Sequence, residues 1–175
     1  MLIRKERDTD VPRVRGVHVA AFMRDLYRPE DLPEVRLLAG LRASDAWIPQ
    51  LSLVAEIDGE LVGHVISTRG FVDELPVLGL GPIAVSPASQ NQGAGTALMH
   101  ATIGAAEAMA EPLIALLGGV EFYSRFGFLR STNLGVEAPE PGWGENFQVR
   151  ALTAMPDGLT GEFRYAAPFN EIEDD

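Results

Sequence analysis

The stretch SPASQNQGAGTALMHA, residues 86–101, restricts the fold of this chain more than any other. It joins a β-patterned apolar run, Leu78–Val85, to a run with helical spacing, and it places Gln90, Gly93 and Gly95 within six residues. A loop that only turned a corner could use one glycine. Two glycines beside the side-chain amides of Gln90, Asn91 and Gln92 call for something lying close to the backbone. A helix N-terminus leaves its first amides unpaired and carries partial positive charge. Glycines let a phosphate reach those amides without meeting a Cβ. Residues 90–96 therefore read as a pyrophosphate cradle, with Gln90 and Gln92 adding neutral side-chain donors. A plain glycine-rich turn into a helix is the alternative on spacing alone. Two familiar cradles fit poorly. No Lys follows Gly95, as a P-loop requires, and Leu98 stands where a dinucleotide-binding motif needs its last glycine.

The flanking sequence alternates strands and helices. LIRKE reads as a first strand. Thr9 or Asp10 before Pro12 is a helix start, followed by Val14, Val17, Ala21 and Phe22 at helical spacing. Residues 34–44 predict a second helix. Asp58-Gly59 is the strongest hairpin signal, between two β-rich runs. Leu78–Val85 is a strand interrupted by Gly79, Gly81 and Pro82, so it is expected to be bulged or splayed there. Gly93–Ala110 is a helix with Ala94, Ala97, Leu98, Ala101, Ala105 and Met109 on one face. Pro112 ends it, and PLIALLG is the next buried strand. VEFYSRF is a short helix stopped by Gly127, and GFLR and NFQVRAL are closing strands around a Pro/Gly-rich loop. The expected fold class is α/β (α+β): one domain over residues 1–168, a mixed sheet flanked by helices, and an acidic C-terminal tail at 169–175.

Composition narrows the function classes. With 46% hydrophobic residues in 175, the chain can bury a real core. It has no cysteine, which excludes disulfides, zinc–thiolate sites and a Cys nucleophile and fits a cytoplasmic protein. No apolar run approaches the roughly 20 residues that span a bilayer, and the start MLIRKERDTD has no secretory pattern. A net charge of −11 argues against a nucleic-acid surface. His18, His64 and His100 lie far apart without ligand spacing, so no metal is expected. His100 is expected to face water, and Arg13 and Arg15 are read as an exposed helix pair.

The motif LGPIAVSPASQNQGAGTAL resembles the acetyl-CoA-binding signature of the GNAT superfamily of N-acetyltransferases, whose heart is Gln/Arg-x-x-Gly-x-Gly/Ala, matched by Gln90, Gly93 and Gly95. FYSRFGF supplies that family's late Phe-Tyr-x-x-x-Gly-Phe element through Phe122, Tyr123, Gly127 and Phe128. The order and separation fit, and LGGVEFYSRFGF with the late GEFRYAAPF is similar to a bacterial branch called YhbS-like.

The resemblance implies a mostly antiparallel sheet splayed between two strands, here Leu80–Val85 and Leu113–Leu117, with acetyl-CoA bound in the gap. Ile83, Ala84 and Val85 would line the pantetheine arm, with backbone groups of Ile83 and Val85 bonded to it. Gln90, Asn91, Gln92, Gly93, Ala94, Gly95 and Thr96 would hold the pyrophosphate. Tyr123 would protonate the departing thiolate. An acceptor amine, of a small molecule or a peptide, would attack the thioester directly, without nucleic acid or membrane as partner; a homodimer stays open. The family's strand carboxylate is missing, which leaves Asp73, Glu74, Glu56, His64 and Glu121 as candidate bases, or none. Trp143, with Glu137, Glu140 and Glu145 around it, would wall the acceptor side and favour a cationic amine, with a bare surface loop as the alternative. A non-catalytic acyl-CoA-binding module is the alternative.

Overall fold

In chain order, the computed structural model, which describes residues 1–24 and 27–172, contains β1 (Leu2–Lys5), α1 (Val11–Phe22), α2 (Pro33–Ala43), β2 (Ser52–Ile57), β3 (Glu60–Val72), β4 (Leu75–Val85) and α3 (Ala94–Ala108). After these come β5 (Leu113–Leu117), α4 (Val120–Tyr123), β6 (Leu129–Arg130), β7 (Val136–Glu137), β8 (Phe147–Ala151) and β9 (Gly161–Arg164). The strand order is β1-β2-β3-β4-β5-β8-β6, with β9 paired to the end of β3 and to β7. Among the described residues only β4–β5 and β7–β9 pair in parallel. Among the described residues no helix is long and apolar enough to cross a membrane.

Local chemistry explains the centre of this sheet. Asp58 and Gly59 both have positive φ, 52° and 84°. That pair of conformations matches the twist of the flanking strands and folds β2 onto β3. Alternation then sorts the side chains by face. Leu53, Ala55 and Val65 pack with Leu98 and Met99 of α3. Val54 and Ile66 pack with Val14 and Val17 of α1 and with Leu37, Leu38 and Leu41 of α2. A third cluster joins Phe147 and Val149 of β8 to Val72 and to Phe163 of β9.

Three expectations shift. Asp10 does stand at the start of α1, yet its carboxylate does not cap the helix. It instead accepts from both terminal nitrogens of Arg4, at 2.6 and 3.0 Å, and from the Arg7 amide. The Arg4 guanidinium holds it down at about 2. On α3 the buried residues are Ala94, Leu98, Met99, Thr102 and Ala106, while Met109 is exposed. The face is rotated because an Ala-rich helix offers little contrast by which its apolar stripe can be located. The strands β7 and β9 were not expected. Four residues at most, they are held by a tertiary latch: the Asp73 amide donates to the Glu162 carbonyl at 3.0 Å, and the Glu162 amide donates to Asp73 Oδ1 at 3.0 Å. After β9, residues 167–172 form a 3-10 turn, with the Phe169 ring 4.3 Å from Tyr165. Residues 173–175, the end of the acidic tail, and residues 25–26, the end of the first expected helix, lie outside the described residues.

Candidate functional site

The gap between β4 and β5 is the centre of the site. These strands pair only at Leu78–Ile114 and Gly79–Ala115 and then diverge. The ladder on the other side of β4 decides where its free groups point. Ser86 donates to the Val62 carbonyl, so 86/62 and 84/64 are the hydrogen-bonded pairs of the antiparallel β3–β4 ladder. Bonded and non-bonded pairs alternate in such a ladder. Ile83 and Val85 therefore turn their backbone groups away from β3, into the gap.

A groove of about 650 Å3 opens there, lined by Ile83, Ala84, Val85, Gln90, Asn91, Gly93, Ala94, Gly95 and Thr96 from the sequence-expected set, and by Phe122, Tyr123 and Arg125 of the facing wall. Gly93 is the αL residue before α3, at φ 87°. The first helical bond of α3 runs from Ala97 to Gly93, which leaves the amides of Ala94, Gly95 and Thr96 without intrahelical partners. A Cβ built on Gly95 would meet Phe122 Cζ at 3.6 Å, so it would project into the groove at ordinary contact distance. The glutamines behave differently from expectation. Gln90 Nε2 donates to the Val85 carbonyl at 3.2 Å and Gln92 Nε2 to the Ala88 carbonyl at 3.1 Å. They tie the loop together, and Gln92 does not line the groove.

On the far side of the gap lies a larger cavity, about 840 Å3, walled by Trp143, Tyr165, Phe169, Phe22 and Phe71 among others. Ile83 and Tyr123 line both spaces, so groove and cavity meet at these two residues. Burial pushes the Tyr123 phenol up to about 12. A phenol so placed keeps its proton at neutral pH and can donate it in a hydrogen bond.

One residue that sequence reasoning missed fixes this tyrosine. A Cβ on Gly118 would fall within 3.0 Å of the Tyr123 ring, well inside contact. Gly118 is itself pinned, its amide to the Asn146 carbonyl at 2.9 Å and its carbonyl to Gln148 Nε2 at 2.9 Å. The Tyr123 ring thus occupies the space that a side chain at Gly118 would need. The signal was present as Gly118-Gly119 before FYSRFGF, but only the fold shows which atom needs the space.

None of the five candidate bases lines either space. Glu56 is bound to Arg4 at 2.5 Å. The Asp73 carboxylate holds β9, and Glu74 and Glu121 lie on the surface. The carboxylates that do line the large cavity are Glu34, Glu140 and Glu162. Of the loop acids, Glu140 joins Trp143 there, whereas Glu137 and Glu145 do not.

His64 is fully buried, and here the fold joins residues that the sequence kept apart. His18 Nε2 lies 2.8 Å from His64 Nδ1, and His64 Nε2 lies 2.9 Å from Ser52 Oγ. Ser52 donates to Glu6, which also takes Arg42. Since Ser52 spends its proton on Glu6, His64 Nε2 must donate to Ser52, and His18 Nε2 to His64. Both imidazoles are then neutral, and His18 Nδ1 has no partner among the described residues. Burial pulls His18 down to about 2, and burial likewise lowers His64 against the pull of Glu6. For Glu6, burial alone would raise the carboxyl, but its bonds from His64 and Ser52 and the Arg42 charge lower it. The chain of bonds lines neither the groove nor the larger cavity, and it makes folding acid-sensitive. The unfolded histidine takes up its proton near pH 6.5 and the folded one only near 2. Stability is therefore complete above about pH 6.5 and falls below it, by about 1.4 kcal/mol per pH unit for His18. Urea unfolding at pH 7 and pH 5 is expected to show a loss of about 2 kcal/mol. His18→Gln, which keeps a donor toward His64, should lessen that slope and leave the share that the buried His64 contributes; an unaltered slope would mean that His18 is not among the groups that titrate.

Comparison with known proteins places this geometry. The acetyltransferase (GNAT) family profile matches residues 20–128. The uncharacterized N-acetyltransferase YjhQ of Escherichia coli K12 is 34% identical over 143 residues, 77% of this chain and 79% of that protein. The crystal structure of the GNAT family N-acetyltransferase YhbS from Escherichia coli, in complex with CoA, superposes with a TM-score of 0.85 at 28% identity, over 97% of this chain and 91% of that one. A GNAT family acetyltransferase from Brucella melitensis, in complex with acetyl-CoA, superposes with a TM-score of 0.76 at 32% identity, over 96% and 97% of the two chains.

Proposed function

Because the chain belongs to the acetyltransferase (GNAT) family, and is an N-acetyltransferase by that membership, we propose that it moves an acetyl group from acetyl-CoA, bound in the groove, to a primary amine entering through the larger cavity. The observation that carries this reading is the meeting of the two spaces at Ile83 and Tyr123. A thioester reaching the gap from one side and an amine from the other would come together there.

The groove fits such a co-substrate. Unpaired amides at Ala94–Thr96 suit a pyrophosphate, and the outward backbone groups of Ile83 and Val85 suit an amide-bearing arm. The co-substrate supplies the activated acyl carbon; the chain supplies position and a donor. Tyr123 holds its proton toward the sulfur and stabilises the negative charge that develops as the C–S bond breaks. A phenol near 12 is a weak acid, so its first contribution is a hydrogen bond. It yields the proton as the buried thiolate becomes basic. The acceptor amine arrives neutral or loses its proton through water, since no carboxylate stands on the gap-facing part of β4.

The acceptor cavity has the size of a small-molecule site. Its rings suit an amine with an apolar body, and Glu140 beside Trp143 keeps a cationic acceptor within this reading. Thiol release from acetyl-CoA across an amine panel is the direct test. Turnover with at least one amine is expected, and Trp143→Ala should raise the acceptor KM several-fold while leaving the acetyl-CoA KM nearly unchanged. A cationic acceptor would also show kcat/KM falling with ionic strength. The missing strand carboxylate favours one second reading, an acyl-CoA-binding module of the same fold. CoA binding without turnover on any amine would establish it.

A further inference from the structure

The groove holds a charged side chain that no part of the motif reading assigned. Among the residues lining it, Arg125 is the one that carries a charge at neutral pH. That is notable in a chain with 25 acidic and 14 basic residues. Arg125 sits two residues after Tyr123, on the wall facing the amides of α3. Its Nε donates to the Phe122 carbonyl at 3.2 Å. Its guanidinium lies 4.7 Å from the centroid of Phe122 and 5.6 Å from that of Phe126. The rings and the carbonyl fix the inner edge of the group. Among the described residues its terminal nitrogens hydrogen-bond to nothing and no carboxylate lies within ion-pair distance, although Glu121 stands one helical turn before it. Phe122 is also the ring that a Cβ on Gly95 would meet, so the stacked guanidinium borders the cradle itself.

A guanidinium held by its face and its Nε presents two parallel N–H groups, a geometry that matches a phosphate and is arranged before binding. The cradle amides supply neutral donors and only partial charge. On the reading that the groove takes acetyl-CoA, we propose that Arg125 is the cation of the pyrophosphate site. It closes over the diphosphate from the side opposite the helix N-terminus. It thereby makes the enzyme discriminate a diphosphate-bearing donor from a simple pantetheine thioester.

The proposal separates from its neighbours by ligand. Calorimetric titration of CoA, dephospho-CoA and pantetheine into the wild-type protein and into Arg125→Gln reads each part of the donor in turn, and thermal unfolding verifies that the variant folds. Arg125→Gln is expected to weaken CoA and dephospho-CoA alike, by about tenfold to a hundredfold at low salt. Pantetheine should bind as before. Arg125→Lys, a point charge without the fork, should recover only part of the loss. Because the group is exposed, the difference should shrink at high salt. Three results would overturn the assignment. A loss confined to CoA would move Arg125 to the 3′-phosphate. An equal loss for pantetheine would make it a packing residue on Phe122, and no loss at all would make it a solvated surface group. Failure of the wild-type protein to bind CoA would instead overturn the acetyl-CoA reading on which the proposal rests.

Discussion

Replacing Tyr123 by Phe should lower kcat by about 10²- to 10⁴-fold and leave the acetyl-CoA KM nearly unchanged. The ring stays, with its edge contacts to Phe122 at 4.9 Å and Phe128 at 6.0 Å, so the groove keeps its wall. The lost hydroxyl matters as charge appears on sulfur, which is an interaction made in the transition state rather than in the bound ground state. Two further observations belong to the same expectation. With the phenol at about 12, the rate should not decline between pH 8 and pH 10 through loss of the Tyr123 proton. Gly118→Ala should produce a comparable loss without touching the hydroxyl, because its Cβ takes the space of the ring while the backbone is tied at both ends to Asn146 and Gln148. Pre-steady-state kinetics should first establish that chemistry limits turnover. An unchanged kcat under that condition would return Tyr123 to a packing role.

Gly95→Val should weaken CoA binding by about a hundredfold or more, the loss expected when two or three charge-assisted bonds from the cradle amides are blocked. The fold should survive. The added Cβ meets Phe122 and Val85 at 3.6 and 3.8 Å, which is ordinary contact, and a helical Val is no worse than the Gly it replaces. Gly93 would be a poorer test, since its φ of 87° makes any substitution there strained. Gly104→Ala on the same helix is the control. Nothing lies within 4 Å of its Cβ, so it should stabilise the helix by about 0.5–1 kcal/mol and leave binding alone. Undiminished affinity of Gly95→Val in a calorimetric titration would remove the cradle from residues 93–96.

The site was legible to the extent that its chemistry is local. The turn from strand to helix at residues 86–96 fixes both where amides are left unpaired and where a Cβ is missing, and these are properties of neighbouring residues. The Asp58-Gly59 hairpin was legible for the same reason. What needs two distant segments was not. Sequence spacing kept His18 and His64 apart, and only the packing of α1 on β3 places their nitrogens 2.8 Å from one another. The candidate bases were named for their places just before β4, on the hairpin or beside Tyr123 in the chain, but the sheet turned Glu56 toward Arg4 and gave Asp73 to β9. Two-residue strands such as β7 carry no periodicity to read, since a period of two needs more residues than that to show itself.

By itself, then, the sequence determined that this chain would set a glycine-rich helix start behind an interrupted strand and follow it with a tyrosine on a short helix. Each of those depends on torsion preferences and spacing within about ten residues. Only the tertiary structure decided that β4 and β5 part after Gly79 and Ala115, that the Tyr123 ring takes the space a side chain at Gly118 would need, and that Arg125 faces the cradle. Those depend on contacts between segments distant in the sequence. Segments far apart in the chain meet there through close packing, and Phe126 and Phe128 share the core beside α3.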